Sequence, residues 1–334
     1  MKVAVVGCGN VSKNHFSALK EIKNAEIVAT VDIKKERADI KAAENNAKAY
    51  YDFDEMLQKE HPDCVHIATP HYLHTPMAIK ALKSGANVFL EKPCSVTSEE
   101  ADALISAQKQ SNKQLGVCLQ NRYNDSSVTA KSIMDKGTLG ELKAIRAFVT
   151  WSRDKNYYSD DWHGTLFKEC GGVLINQAIH TIDLIQYFGG GCKNVTAHVF
   201  NDHLKDIIEV EDTATVRFEL NNGVTALLYA TTAFSVNSDV FIELTFENGI
   251  LRLEGEHLYK ITESGFEELC KKSEKEFVGK NYWGHGHKAI IKDFYDCLET
   301  GRHFDIDAEE GSKSAKIVAA CYNSSKENKT IEVK

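Results

Sequence analysis

The sequence predicts an α/β protein in two parts: an N-terminal doubly wound parallel sheet, and a C-terminal α/β domain with a large open, mainly antiparallel sheet. Three observations carry this. A short apolar strand, Lys2–Val6, runs directly into a glycine turn and a helix. Strand and helix patterns then alternate to about residue 119, the grammar of parallel βαβ units. From Leu142 the pattern changes to long alternating segments, and no proline follows Pro93, so the halves are built differently. A chain of 334 residues is long for one core. The division is placed at 1–120 and 121–334, with a final helix at about 312–327 able to pack back on the first domain.

In order, the first half reads as strand Lys2–Val6, helix 10–22, strand 26–31, helix 36–46, strand 49–51, helix 53–59, strand 64–68 and a helix running to about 84. Strand 88–90, helix 98–112 and strand 115–119 complete the sheet. Thr97 or Ser98 opens helix 98–112, with acids in its first turn. In the second half, helix 127–136 ends at Gly137. Strands follow at 143–150, 195–200, 213–220, 224–232, 240–246 and 250–254, with hairpin signals at Asn221-Asn222-Gly223 and Glu247-Asn248-Gly249. A helix over 171–188 interrupts them, and helices 289–299 and 312–327 close the chain. An open sheet invites pairing with another subunit through the C-terminal sheet.

Composition excludes several classes. The net charge is −8 with both signs interspersed, so no basic stripe marks a nucleic-acid partner. No apolar run approaches the length of a bilayer span, and the N-terminus is unlike a signal peptide. Nine cysteines, an odd number without C-x-x-C spacing, argue against a disulfide framework and for a reducing, cytoplasmic compartment.

The functional residues follow from strand ends. Gly7-Cys8-Gly9-Asn10-Val11-Ser12 sits in the strand–turn–helix setting of a dinucleotide fingerprint. Gly7 permits the tight turn, and Gly9 lets the backbone approach a pyrophosphate on the helix N-terminus, beside Asn10 and Val11. Ser12 takes the third glycine's place, where small size suffices. Asp32 ends the second strand at the spacing of a carboxylate for the adenosine ribose; it disfavours a 2′-phosphate, so NAD is expected over NADP. Thr69 and Pro70 end the fourth strand and border the cofactor crevice. His71 and His74 have H-x-x-H spacing without a third ligand nearby, so no metal is expected and capping or packing is favoured; His74 is also counted on the cofactor side. Glu91-Lys92-Pro93 follows the fifth strand. Lys92 there acts as an acid or stabilises an alkoxide, and Glu91 favours its charged form; taken alone, the tripeptide also reads as a solvated turn. Gln120-Asn121-Arg122-Tyr123 leaves the sixth strand, where Gln120 can meet a nicotinamide and Arg122 an anion or sugar hydroxyls.

On helix 171–188, Asn176, His180, Asp183 and Tyr187 fall on one polar stripe of an otherwise apolar element. Such a stripe lines a polar cavity or finds partners in the core. His180 is accordingly either a satisfied structural histidine or an acid/base. The loop carrying Trp151, Arg153, Tyr157, Tyr158 and Trp162 suits carbohydrate stacking, and reads equally as a surface loop with anchored aromatics. Tyr282-Trp283-Gly284-His285-Gly286-His287 offers an H-x-H pair, with a helix cap favoured over a metal.

Together, Gly7-Cys8-Gly9-Asn10, Asp32, Thr69-Pro70-His71, Glu91-Lys92-Pro93, the Asn176…His180…Asp183 helix and the tail at 309–320 resemble the glucose–fructose oxidoreductase / inositol dehydrogenase / MocA (Gfo/Idh/MocA) family over nearly the whole chain. The resemblance implies a Rossmann domain, NAD(P), and oxidation or reduction at a sugar or polyol carbon. It implies a catalytic Lys92 and a matching His180, while Asn176 stands where the family usually has Asp. An amide relays no proton, so carboxylate assistance to His180 from that position is absent. The expected activity is hydride transfer between NAD and a secondary hydroxyl or keto carbon of a sugar, polyol or nucleotide-sugar. Lys92 and His180 are the catalytic pair; Arg122, Tyr123, Trp162, Asn176 and Asp183 bind substrate. Two alternatives are an NAD-dependent glycosidase using transient C3 oxidation, and a catalytically silent sugar- or NAD-sensing protein.

Overall fold

A computed structural model describes residues 1–271 and 286–334. The described residues form two compact units, 1–120 with 286–312, and 121–271 with 313–334.

The first unit holds a six-stranded parallel sheet. Its elements are β1 (Lys2–Val6), α1 (Ser12–Leu19), β2 (Glu26–Val31), α2 (Lys35–Asn45), β3 (Lys48–Tyr50), α3 (Phe53–Glu60), β4 (Cys64–Ile67), α4 (His74–Lys83), β5 (Asn87–Leu90), α5 (Ser98–Ser111) and β6 (Leu115–Val117). The strand order is β3-β2-β1-β4-β5-β6, so the order reverses between β1 and β4. In such a sheet ligands bind at that switch point, beyond the strands' carboxyl ends. The central strands are covered on both faces: Val3, Ala4, Val5, Val65, Ile67, Val88, Phe89 and Leu90 are fully buried. Thr97 caps α5 by accepting from the Glu100 N–H at 3.2 Å.

The segment 286–312 also belongs to this unit. Its helix, Gly286–Thr300, supplies Phe294, whose ring centroid lies 5.2 Å from that of Phe89. Gly116 of β6 is small because a Cβ there would meet Phe294 at 2.7 Å and Phe304 at 3.0 Å.

The second unit holds a nine-stranded sheet: β7 (Leu142–Thr150), β8 (Cys192–Phe200), β9 (Thr213–Leu220), β10 (Thr225–Thr231), β11 (Phe241–Phe246), β12 (Gly249–Glu254), β13 (His257–Thr262), β14 (Gly265–Cys270) and β15 (Ile331–Glu332), in the order β14-β13-β12-β11-β7-β10-β9-β8-β15. Only β7 and β10 pair in parallel; every other neighbouring pair is antiparallel. Strands β13, β14 and β15 are additions to the sequence reading. The outer two alternate weakly because they are half wet, and β15 has only two residues. One face of the sheet is core, with Ala214, Val216, Phe218 and Leu220 of β9 buried. The other carries Phe148 and Leu227 exposed, around a buried Glu243 that accepts from Arg146 Nε at 2.7 Å and Arg252 Nε at 2.9 Å. Burial opposes the charge on Glu243, but the two guanidinium groups outweigh it and hold the carboxyl below its usual range.

The final helix spans Ala308–Glu327, four residues longer at its start than read from sequence. Its first turn lies in the first unit, where a Cβ on Gly311 would collide with Val117. The rest belongs to the second unit, because Ser324 and Ser325 accept from the N–H groups of Ala197 and Val199, both at 3.0 Å, along β8. Among the described residues no helix is long and apolar enough to cross a membrane.

Candidate active site

The dinucleotide half is built at the exits of β1, β2, β4 and β5. Gly7 has φ +86°, and a Cβ there would collide with the carbonyl of Ala68, so the turn lies directly on the β4 exit. Among the described residues, and chain neighbours aside, no atom stands within 4 Å of the corresponding position on Gly9, leaving that backbone face open to a phosphate. Asn10 and Val11 precede α1, whose first turn Ser12 closes by donating to the Gly9 carbonyl at 2.7 Å. Asp32 is fixed by two backbone donors, Cys8 N–H at 2.9 Å and Lys34 N–H at 2.8 Å. Its carboxylate is therefore set beside the glycine turn. Among the described residues, Thr69 Oγ1 is buried without a hydrogen-bond partner, at the carboxyl end of β4 next to Pro70. A buried hydroxyl of this kind needs a partner. The open Gly9 face, the Asp32 carboxylate and the Thr69 hydroxyl fit a dinucleotide: pyrophosphate on the turn and ribose on the acid.

His74 corrects its reading as a cofactor contact. It is buried, with Nδ1 2.6 Å from the Pro93 carbonyl and Nε2 2.7 Å from the Thr69 carbonyl. The ring is thus spent as a clamp tying the β4 exit to the β5 exit. Donating to both carbonyls requires the cation, and burial pushes the pKa down against those two bonds. In the neutral ring one contact carries the proton.

Glu91 is buried and accepts from His15 Nε2 at 3.0 Å. Burial favours the neutral acid, but the His15 bond and the electrostatics of its neighbours, Lys92 among them, hold the carboxyl far below its usual range. Lys92 follows on the half-buried turn, and its peptide to Pro93 is cis. Glu91, Cys118 and His287 bring one ligand atom each within 4.8 Å of one another. Burial first, and then Glu91, keep Cys118 a thiol, and that thiol contacts Gln120 Oε1 at 3.8 Å. The trio is a buried polar cluster around Glu91. Tyr282, Trp283 and His285 lie outside the described residues.

In the second unit, residues 171–188 are not one regular helix. Val173–Gln177 is a π-helical turn, and the α-helix spans Ile179–Gly189. The cause is the entry. Glu211 accepts from Gly172 N–H at 2.8 Å, Leu174 N–H at 3.0 Å and the Tyr322 hydroxyl at 2.9 Å, taking up donors that a helix start leaves open. A Cβ on Gly172 would strike the Glu211 carbonyl. Asn176 therefore belongs to a different turn from His180. Its amide donates to Glu169, a fully buried carboxylate that the sequence did not mark. His180 is half-buried near the start of the α-helix.

Asp183 departs from its expected role in substrate contact. It is buried and forms a bidentate pair with Arg122, Nε to Oδ2 at 2.7 Å and Nη2 to Oδ1 at 2.6 Å, with Gln186 Nε2 at 3.2 Å. The guanidinium also lies 4.4 Å from the centroid of Tyr187. Asp183 and Tyr187 thus orient Arg122. Tyr123 follows in the same short turn, half-buried. Trp162 packs tilted on His163 with centroids 3.8 Å apart, and His163 is bonded to Asp160 at 2.6 Å. His15 and Glu169 are the site-side residues the sequence reading passed over: each is a polar group on an apolar pattern, the one signal that could have marked them.

Residues 1–119 match the oxidoreductase family with NAD-binding Rossmann fold, and residues 127–252 match the GFO/IDH/MocA C-terminal domain. The chain is 26% identical over 356 residues to the D-glucoside 3-dehydrogenase of Escherichia coli (strain K12), covering 100% of this chain and 97% of that protein. It is 24% identical to the D-apiose dehydrogenase of Paraburkholderia graminis, covering 100% and 90%. The WlbA dehydrogenase from Bordetella pertussis, solved with NADH and UDP-GlcNAcA, superposes with a TM-score of 0.87 at 26% identity, over 100% of this chain and 98% of that one. Levoglucosan dehydrogenase with NADH and levoglucosan, at 21% identity, shares the fold with a TM-score of 0.89 over 100% and 99%. With an NAD-binding Rossmann unit followed by the matching C-terminal domain, the chain belongs to the GFO/IDH/MocA oxidoreductase family.

Proposed function

We propose that this protein catalyses reversible, NAD-dependent oxidation of a secondary hydroxyl on a sugar, polyol or nucleotide-sugar. The observation that carries the reading is Lys92: an amine on the β5 exit, next to a buried ionised Glu91, in an NAD-binding sheet whose β4 exit presents the Thr69 hydroxyl. The substrate class is supported by the relatives, which are named for glucoside, apiose and myo-inositol oxidation, and by the relative solved with a nucleotide-sugar.

Bound NAD supplies the hydride acceptor. Lys92 donates to the oxygen that gains negative charge as its proton leaves, before the hydride passes to NAD, where a fixed donor is worth more than water. His180 takes the hydroxyl proton and returns it in the reverse direction. Asn176, whose amide nitrogen is held by Glu169, contacts a neighbouring hydroxyl. Arg122, held flat by Asp183 and Tyr187, binds an oxygen or an anionic substituent, with Tyr123 and Trp162 offering ring faces and a phenol to the sugar. The sheet face bearing Phe148 and Leu227 is the expected contact between subunits, giving a homodimer or homotetramer.

The test is Lys92→Ala against a panel of glucosides, inositols and nucleotide-sugars, followed by NADH absorbance. Turnover is expected to fall by roughly 10²–10³ or more, with NADH binding by fluorescence retained. Activity unchanged in the variant refutes the assignment, and release of an aglycone without net NADH moves it to glycoside cleavage.

A further inference from the structure

The proposed reaction leaves Cys118 and His287 without a role, yet both converge on Glu91. Each of the three offers one ligand atom: a sulfur, an imidazole nitrogen and a carboxylate oxygen. These atoms lie within 4.8 Å of one another. Glu91, Cys118 and His287 are buried, at 4%, 0% and 5% exposure. Three elements of the first unit supply them. Glu91 follows β5, Cys118 follows β6, and His287 opens the helix Gly286–Thr300. Rigid neighbours fix all three backbones. The Glu91 N–H donates to the Ile67 carbonyl at 2.9 Å and the Cys118 N–H to the Leu90 carbonyl at 2.8 Å, continuing the pairing of β4, β5 and β6. Two helical turns beyond His287, Phe294 packs on Phe89 with centroids 5.2 Å apart.

The spacing suits two ligands of one ion. His287 Nε2 stands 3.8 Å from Glu91 Oε1, too far for a hydrogen bond. Ligands at about 2.0–2.3 Å from a tetrahedral zinc are about 3.3–3.8 Å apart, so the widest gap in the set closes by about 1 Å at most. Charge balances as well. Binding exchanges the Cys118 proton for the cation: the S–H proton leaves to water and the thiolate enters the shell. One thiolate, one carboxylate and one neutral imidazole around Zn²⁺ sum to zero, which removes the cost of a buried net charge. An outer shell is already built. Glu91 Oε1 accepts from His15 Nε2 at 3.0 Å, His15 Nδ1 is 2.8 Å from His66 Nδ1, and His66 Nε2 is 2.9 Å from the Tyr295 hydroxyl. Hydrogen bonds of this kind orient the carboxylates that bind metals. Gln120 Oε1, 3.8 Å from the Cys118 sulfur, offers an oxygen for the fourth position.

We propose that Glu91, Cys118 and His287 form a zinc site that pins the exits of β5 and β6 to the helix Gly286–Thr300. A set mixing sulfur, nitrogen and oxygen selects zinc over magnesium or calcium, which take oxygen ligands. The role is structural. The ion joins segments distant in the sequence and binds the folded chain, so it adds to folding stability. Zinc binding here stands apart from the sugar reaction, and its test needs no substrate.

The full chain, freed of any histidine tag and stripped with a chelator, is titrated with zinc in competition with a chromophoric chelator. One zinc per chain is expected. X-ray absorption at the zinc edge is expected to show one sulfur at about 2.3 Å and nitrogen or oxygen at about 2.0–2.1 Å. Cobalt in place of zinc is expected to give a thiolate-to-metal absorption band. In Cys118→Ser that band is expected to vanish and zinc affinity to fall by at least roughly 10²-fold, the upper end of what losing an outer-shell partner costs. Cys170→Ser, which removes a half-buried thiol of the second unit, is expected to change neither. Folding is checked by circular dichroism and NADH binding. Should Cys118→Ser fail to fold, His287→Gln carries the test: it is expected to keep the band and weaken zinc. Less than one zinc per chain at micromolar free metal, a shell without sulfur, a band that survives Cys118→Ser, or unchanged affinity in His287→Gln overturns the site.

Discussion

Asp183→Asn isolates the buried pair that the second unit is organised around. The substitution keeps the shape of the side chain but removes its charge and turns one acceptor into a donor facing the guanidinium. Arg122 and Asp183 side chains are 6% and 1% exposed, and two charge-assisted bonds of 2.7 and 2.6 Å join them. Water cannot replace the lost carboxylate at that depth. Removing one member of a buried pair costs about 3–5 kcal/mol, mostly from the charge left behind. The Tyr187 face, 4.4 Å from the guanidinium, offsets part of this, so the lower end applies. At roughly 2–4 °C per kcal/mol for a unit of this size, the transition falls by roughly 6–12 °C or more. The assay is calorimetry with urea unfolding followed by fluorescence, to which Trp151 and Trp162 of the second unit contribute. The double change Arg122→Met with Asp183→Leu removes both charges and is expected to be milder than the single one. A loss under about 1 kcal/mol in Asp183→Asn refutes the reasoning: the carboxylate is then solvated and available to substrate.

Asp32→Ser is expected to lower the preference for NAD over NADP by roughly tenfold or more, since a carboxylate beside the ribose disfavours a 2′-phosphate; the ratio of the two dissociation constants is the readout, because the turn held by Cys8 N–H loosens in either case. Gly7→Ala places a Cβ against the Ala68 carbonyl at φ +86°, so NADH affinity is expected to fall at least about tenfold with the strand–turn–helix displaced. His287 stays neutral in the fold down to about pH 4 but charges at its ordinary 6.5 when unfolded. The unfolded chain therefore binds the extra proton first, and stability is expected to decline by up to about 3 kcal/mol as pH falls from 6.5 to 4, with no contribution above. In His287→Leu that part of the slope disappears from the urea unfolding curves.

The architecture was legible in local patterns along the chain. The glycine turn after an apolar strand, the βα alternation to residue 119 and the period-two segments beyond 142 are local patterns, and local patterns set element type. Hairpins at Asn221-Asn222-Gly223 and Glu247-Asn248-Gly249 were legible for the same reason: each turn needs φ > 0, and Gly223 and Gly249 supply it at +82° and +155°. Gly7, Asp32 and Lys92 were visible as residue types at strand ends. Which polar groups spend themselves on one another depends instead on contacts between distant elements. The stripe on 171–188 assumed unbroken helical geometry, but Glu211 and Tyr322, distant in sequence, impose a π-helical entry and separate Asn176 from the regular turns. Asp183 faces Arg122 from 61 residues away, and His15 meets Glu91 from 76. Periodicity fixes the direction in which a side chain leaves its own element; the partner it finds there depends on how distant elements pack, and that partner decides whether a carboxylate or an imidazole is spent on the fold or left for chemistry.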